Sequence, residues 1–169
     1  MFDKIRRDFK RHGSKLLEPG VWVMAVYRFG RWKNTLPKPA RWAAHKVYRV
    51  GFLGTNILCG CHVPDGVEFG EDPHFVHAKD VLLHPHVKLG DRVGMMHAVT
   101  LATTVERPGA PVIGNDVFIG AGAVVVGPVK VGDGARIAPN SLVINDVPAG
   151  ATAIGVPARI VKAPKLKAL

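Results

Sequence analysis

The 169-residue chain has only two cysteines, Cys59 and Cys61, and they stand too close together for an ordinary structural disulfide. No second Cys or Cys/His pair accompanies them, which excludes a zinc knuckle, so both are read as free thiols. No uncharged apolar run reaches the roughly 18 residues needed to cross a bilayer; the longest neutral stretch, 50–64, is shorter and broken by glycines. Met1-Phe2-Asp3-Lys4-Ile5-Arg6-Arg7 leads into no apolar signal core, so the expected location is cytoplasmic. Acidic residues are scarce as well: 13 Asp and Glu stand against 23 Lys and Arg, a formal net charge of +10. Much of the excess lies at the ends, in Lys4, Arg6, Arg7, Lys10, Arg11 and Lys15, then Lys162, Lys165 and Lys167. It suits anionic lipid, anionic polysaccharide or nucleotide phosphates equally well. Without a zinc-finger, RNA-recognition or helix-turn-helix signature, no nucleic-acid partner is expected. Hydrophobic residues at 47% and charged residues at 21% describe a folded protein with one main core.

Residues 1–58 read as helical. Phe2, Ile5 and Phe9 recur at helical spacing between basic residues, and 21–32 and 40–50 are longer apolar-basic stretches separated by Pro37-Lys38-Pro39. With Trp22, Trp32 and Trp42 in it, this basic front could lie on a membrane surface as a peripheral contact. The alternative is a set of helices that cap the rest, since aromatic residues at helical spacing usually mark a core.

Beyond about residue 59 the period changes. Ile113, Ile119, Val125, Val131, Ile137 and Val143 follow one another at intervals of six. Four residues after each come Val117, Ala123, Val129, Ala135, Ser141 and Val147, all small or β-branched, and a glycine directly follows Ile113, Ile119 and Val131. This is the repeat of a parallel β-helix. Each hexad supplies a short strand and a corner, three hexads close one triangular coil, and stacked coils bury a column that no single coil could bury. Glycine after the strand is expected to serve corner backbone that other residues find strained. The same phase runs back through Leu83, Leu89, Met95 and Leu101, whereas Val63, Phe69, Phe75 and Val81 keep the step two residues out of register. Extra residues are therefore expected near Val81 to Leu83. The twelve-residue gap from Leu101 to Ile113 reads as a hexad replaced by a protruding loop.

A coil of this kind has a solid core, so chemistry must lie outside it. Six of the eight histidines, His62, His74, His77, His84, His86 and His97, fall within 36 residues. Allowing for the slip, His77 and His97 share one slot of their hexads, with Asn115 expected in that slot one coil further. Imidazole suits acyl transfer from a thioester, because it can take a hydroxyl proton and return one to the leaving thiolate. His84 with His86, or His74 with His77, could chelate a metal, but no Cys or carboxylate completes a ligand set, and none is expected. His12 and His45 are read as structural.

Residues 62–161 resemble the serine O-acetyltransferases and their shorter relatives in polysaccharide biosynthesis, through the stretch from Gly114 to Pro148 and the ending Gly155-Val-Pro-Ala-Arg159. The resemblance implies a left-handed coil, a homotrimer, and acetyl-CoA lying along the groove between neighbouring prisms. On matching positions the pantetheine arm would pass Ala121 and Pro139, with Lys130, Arg136, Arg159 or Lys162 meeting the phosphates. His77 matches the family's catalytic histidine. The chain departs from the family at four sites. Val76 replaces an Asp that helps engage serine's amino group, and His62 stands where a carboxylate orients the imidazole. Gly109-Ala110-Pro111 replaces Arg-His-Pro, and Ala102-Thr103 replaces Gly-Gly. Asp65, Asp80 or His97 remains to orient His77.

The expectation is an all-β chain, a left-handed parallel β-helix over 59–161, preceded by a short α-helical region over 1–58 and followed by a basic tail over 162–169. Its expected activity is acetyl transfer from acetyl-CoA to a hydroxyl of a sugar or another small acceptor. His77 would act as general base with His97 beside it, and His62 and Asn115 would contact the acceptor. Serine acetylation and a degenerate trimeric scaffold are the alternatives.

Overall fold

A computed structural model describes residues 2–13 and 17–162, with side chains from Ile5 to Val161. Lys15, Lys165 and Lys167 lie outside the described residues, as does the side chain of Lys162. Three helices come first: α1 (Phe2–Arg11), α2 (Pro19–Lys33) and α3 (Lys38–Cys59). Proline stands in the first turn of both α2 and α3, where its missing N–H costs nothing. α3 continues nine residues past Val50 and stops at Gly60, whose φ of 66° forms the left-handed cap that glycine adopts without strain.

From Cys61 the chain winds as a parallel β-solenoid with three faces. The first face stacks Glu68–Phe69, Lys88–Leu89, Val112–Ile113 and Lys130–Val131. The second stacks His74–Phe75, Gly94–Met95, Phe118–Ile119, Arg136–Ile137 and Ala151–Ile154, and closes with the antiparallel strand Arg159–Lys162. Lys162 thus ends a strand where a tail is expected. The third face stacks Leu82–Leu83, Thr100–Ala102, Val124–Val126 and Leu142–Val143, with His62 bridged to Leu82 at its start. Every aliphatic residue of the six-residue series from Leu83 to Val143 is buried, and so are its smaller partners. Ser141 is no exception, since its hydroxyl accepts the Gly155 N–H at 3.1 Å.

The coils are not all of one length. Phe75 pairs with Met95, twenty residues on; Met95 pairs with Ile119, twenty-four on; Ile119 pairs with Ile137, eighteen on. The short-range slip is an insertion between Phe75 and Leu82. It leaves Val81 beneath Val99, in the smaller inward position, and Ala78 buried beside the core. The twelve-residue gap omits no face: Leu101 ends on the third face and Ile113 begins on the first, so six residues are added at the corner between them. That corner loop is anchored by Arg107, which donates to the Ile144 carbonyl at 2.8 Å.

The glycines after Ile113, Ile119 and Val131 have ordinary φ values; positive φ falls instead at the corners, on Gly122 and Gly134 and on Ala98, Asp116 and Asn140. Their role is close approach, not strain relief. A Cβ on Gly120 would lie 2.6 Å from the backbone N of Pro139 in the next coil. Neither partner can yield without separating the coils. Gly120→Ala is expected to cost about 1–3 kcal/mol by overpacking, read as a thermal midpoint lowered by about 2–10 °C in circular dichroism.

The helices cover the open end of the first coil and satisfy its unpaired backbone groups. Phe75 N–H donates to His12 Nε2 at 3.1 Å, so His12 carries its proton on Nδ1, which donates to the Asp8 carbonyl at 2.7 Å. Tyr27 Oη donates to the Val67 carbonyl at 2.9 Å, and the N–H of Asp65 donates to Tyr48 Oη at 3.0 Å. Buried Arg28 pairs with Asp8, tying α1 to α2.

Candidate active site

The corner between the second and third faces carries the histidines. His77 and His97 are both exposed, their ring centroids 6.3 Å apart at 49°. Two counts describe how they meet. From the preceding strands, Phe75 over Met95, His77 matches His97. From the following ones, Lys79 does, because the Ala98 N–H donates to the Lys79 carbonyl. His77-Ala78 is therefore the inserted pair: Ala78 turns inward and His77 is pushed out over its neighbour.

Below His97 the column continues through Ala121 and Pro139, joined by the Gly122 N–H to the His97 carbonyl and the Asn140 N–H to the Ala121 carbonyl. Asn115 is not in it. The loop makes that coil 24 residues long, and an 18-residue count from His97 therefore falls one corner short. Asn115 instead joins Asp91 and Asp133 at the corner between the first and second faces, where its Oδ1 accepts the Asp91 N–H at 2.8 Å. Arg136 and Arg159 lie on the second face, beside the histidine edge. Lys130 lies on the first face, which does not border that edge, its N–H bound to Asp146.

His62 begins the third face, but its ring turns to α3: Nδ1 is 3.2 Å from Asn56 Oδ1, and Phe52 meets it edge-on at 4.9 Å. Asp65 is held by Lys33 and Asn34 and is not free to orient His77. The His77 ring forms no side-chain hydrogen bond with another described residue, which leaves His97 as its nearest titratable ring. His84 and His86 stack edge-on at 5.0 Å, and among the described residues no three His, Cys, Asp or Glu side chains converge as a metal site. Burial pushes the thiols of Cys59 and Cys61 up, which disfavours thiolate chemistry at either.

Beside Val76, one residue from His77, an open cleft of about 350 Å³ is lined by Arg11, His12, Gly13, Glu18, His74, Phe75 and Val76. Burial first, with the charge of Arg11 adding to it, lowers the pKa of His74 from the usual imidazole range. Its ring lies edge-on to His12 at 5.2 Å. This cleft was not legible in the sequence, because no spacing signal brings α1 against the second face.

A solid three-faced coil with a histidine pair on one edge defines a hexapeptide-repeat transferase, and residues 110–145 match the family model "Bacterial transferase hexapeptide (six repeats)". The chain is 32% identical over 154 residues to the serine acetyltransferase of Helicobacter pylori (strain J99 / ATCC 700824), covering 86% of this chain and 83% of that protein. It is 34% identical over 145 residues to the serine acetyltransferase of Mycobacterium tuberculosis (strain ATCC 25618 / H37Rv), covering 85% of this chain and 61% of that one. A serine acetyltransferase solved in complex with CoA superposes with a TM-score of 0.76 at 27% identity, over 94% of this chain and 66% of its own. The chain belongs to the serine acetyltransferase family, and its solenoid is that family's left-handed parallel β-helix. It spans less than two thirds of the mycobacterial relative and of the CoA-bound structure.

Proposed function

We propose that this chain is an acetyl-CoA-dependent O-acetyltransferase with His77 as general base. The observation that carries this is the edge itself: His77 stands over His97, and the column continues past Ala121 and Pro139 beside Arg136 and Arg159. A pantetheine arm along Ala121 and Pro139 would bring its thioester toward the two rings, with the guanidinium groups near its phosphates. His77 takes the acceptor's hydroxyl proton as the oxygen bonds to the acetyl carbonyl carbon. The tetrahedral intermediate then collapses, the carbon–sulfur bond breaks, and the imidazolium returns the proton to the CoA thiolate. A homotrimer completes the groove by setting a neighbouring coil against this edge.

Serine is the acceptor that the family relatives favour over a sugar. The cleft beside Val76 supports it, because Arg11 and Glu18 offer opposite charges to the two ends of a zwitterion. One observation favours the sugar reading: Val76 sets an apolar side chain next to His77 where the family places a carboxylate. Thiol release from acetyl-CoA, followed with L-serine and with a panel of sugars, decides between them. Serine-dependent turnover is expected. Turnover with a sugar alone overturns the serine assignment, and no turnover with any acceptor points to a scaffold.

A further inference from the structure

Helix α3 has a second apolar side that the fold does not use. Ala44, Tyr48 and Thr55 are buried against the rest of the protein. Trp42, Val50, Leu53 and Ile57 are instead 58–73% exposed. At about 100° per residue these four fall within roughly 80° of one another. Val47 and Leu58, more than half exposed, widen the stripe. A continuous exposed apolar surface of this kind marks an interaction site more often than a solvated helix face.

The charges around the stripe say what it meets. α2 and α3 together carry Arg28, Arg31, Lys33, Lys38, Arg41, Lys46 and Arg49 and no Asp or Glu. Arg28 and Lys33 are held in buried pairs with Asp8 and Asp65. On α3 itself, Lys38, Arg41 and Arg49 lie along one flank of the stripe, and Lys46 rests over the Trp42 ring at 3.8 Å. A second copy of this face would bring cation against cation with no carboxylate from either helix between them.

We propose that the outer face of α3 docks on an anionic phospholipid surface. Trp42, Val50, Leu53 and Ile57 enter the headgroup boundary, and Lys38, Arg41, Lys46 and Arg49 meet lipid phosphates. No helix among the described residues is long and apolar enough to cross the bilayer, so the contact is peripheral. The proposal is independent of which acceptor the protein uses.

The full chain is sedimented with neutral phosphatidylcholine vesicles and with vesicles containing one third phosphatidylglycerol. Partition onto the anionic vesicles is expected to be at least about tenfold stronger and to fall steeply with salt, since exposed charges are screened within a Debye length. Leu53→Glu with Ile57→Glu is expected to abolish it while circular dichroism and oligomer size stay as in the wild type. Equal partition onto both vesicle types overturns the proposal, as does undiminished binding by the double variant. So does a larger wild-type assembly that the double variant dissolves without any vesicle binding, which would make the occupant a second copy. If the double variant misfolds, a Trp22→Phe, Trp32→Phe chain keeps Trp42 as its only tryptophan. Its emission is expected to shift to the blue on anionic vesicles alone; an unchanged spectrum overturns the proposal.

Discussion

His77→Ala is expected to lower acceptor-dependent thiol release by about 10²–10⁴-fold, the usual worth of a general base, with the thermal midpoint unchanged. The two halves of that expectation have different sources. The kinetic half follows from chemistry, because without a base the attacking hydroxyl must shed its proton to water. The structural half follows from position. His77 belongs to a two-residue insertion at a corner, its side chain is exposed, and its inward neighbour Ala78 does the packing. His97→Ala is expected to lose less than His77→Ala, since His97 sits in the regular column, nearer Ala121. Equal losses in the two variants would make the pair the unit, and a larger loss in His97→Ala would transfer the base to that residue. His77→Asn, close to isosteric, separates a lost base from a lost shape and is expected to behave like the alanine variant.

Much of this architecture could be read from spacing, because the six-residue step states directly which side chains point inward. Each member of the aliphatic series from Leu83 to Val143 is buried as expected. The slip of two was also legible against so regular a background, but its place was not: the extra residues were expected at Val81 to Leu83, and strand pairing puts them earlier, at His77-Ala78. What spacing could not supply was where extra residues go. A gap of twelve is compatible with a missing face or with an enlarged corner, and only strand pairing distinguishes them. The enlarged corner moves Asn115 away from the histidines and puts Ala121 below His97.

The glycines teach a related lesson. Gly120 and its counterparts Gly114 and Gly132 follow strands in the repeat, but what excludes a side chain is the backbone of the next coil, a contact between residues about one coil apart. The helical cap was legible only as helices. Hydrophobic period marked all three helices, and α3 ends at Cys59, one residue past the expected helical region, with Gly51 and Gly54 inside it. Nothing in the sequence shows that His12 and Tyr27 would satisfy the first coil's free N–H and C=O groups. Those pairings join residues 40 or more positions apart.

A charged fastening of that cap to the coil centres on Asp65, and removing its carboxylate is expected to have a large effect on stability. Lys33, at the end of α2, pairs with Asp65 while its side chain is only 6% exposed, and its ammonium lies 4.7 Å from the centre of the Tyr48 ring. Asn34 donates to the same carboxylate oxygen at 2.9 Å. Burial alone would raise the Asp65 carboxyl, but the hydrogen bonds from Lys33 and Asn34, then the charge of Lys33, hold it below the usual carboxylate range. Asp65→Ala strands the Lys33 ammonium in a buried site, at an expected cost of about 3–5 kcal/mol. Adding Lys33→Met should return much of that loss, because it is the unpaired charge that is expensive. A depressed carboxyl stabilises the fold above its unfolded value, about 3.9, and that contribution disappears as pH falls through the lower folded value. The wild type should therefore lose cap stability in acid by a step that Asp65→Ala lacks. All three tryptophans lie in α2 and α3, so their fluorescence reads the cap while circular dichroism also reads the coil. In Asp65→Ala the fluorescence transition in urea should move to lower concentration, ahead of the coil's. Transitions coincident with the wild type's would show that the cap is held by its apolar contacts, with Asp65 incidental to it.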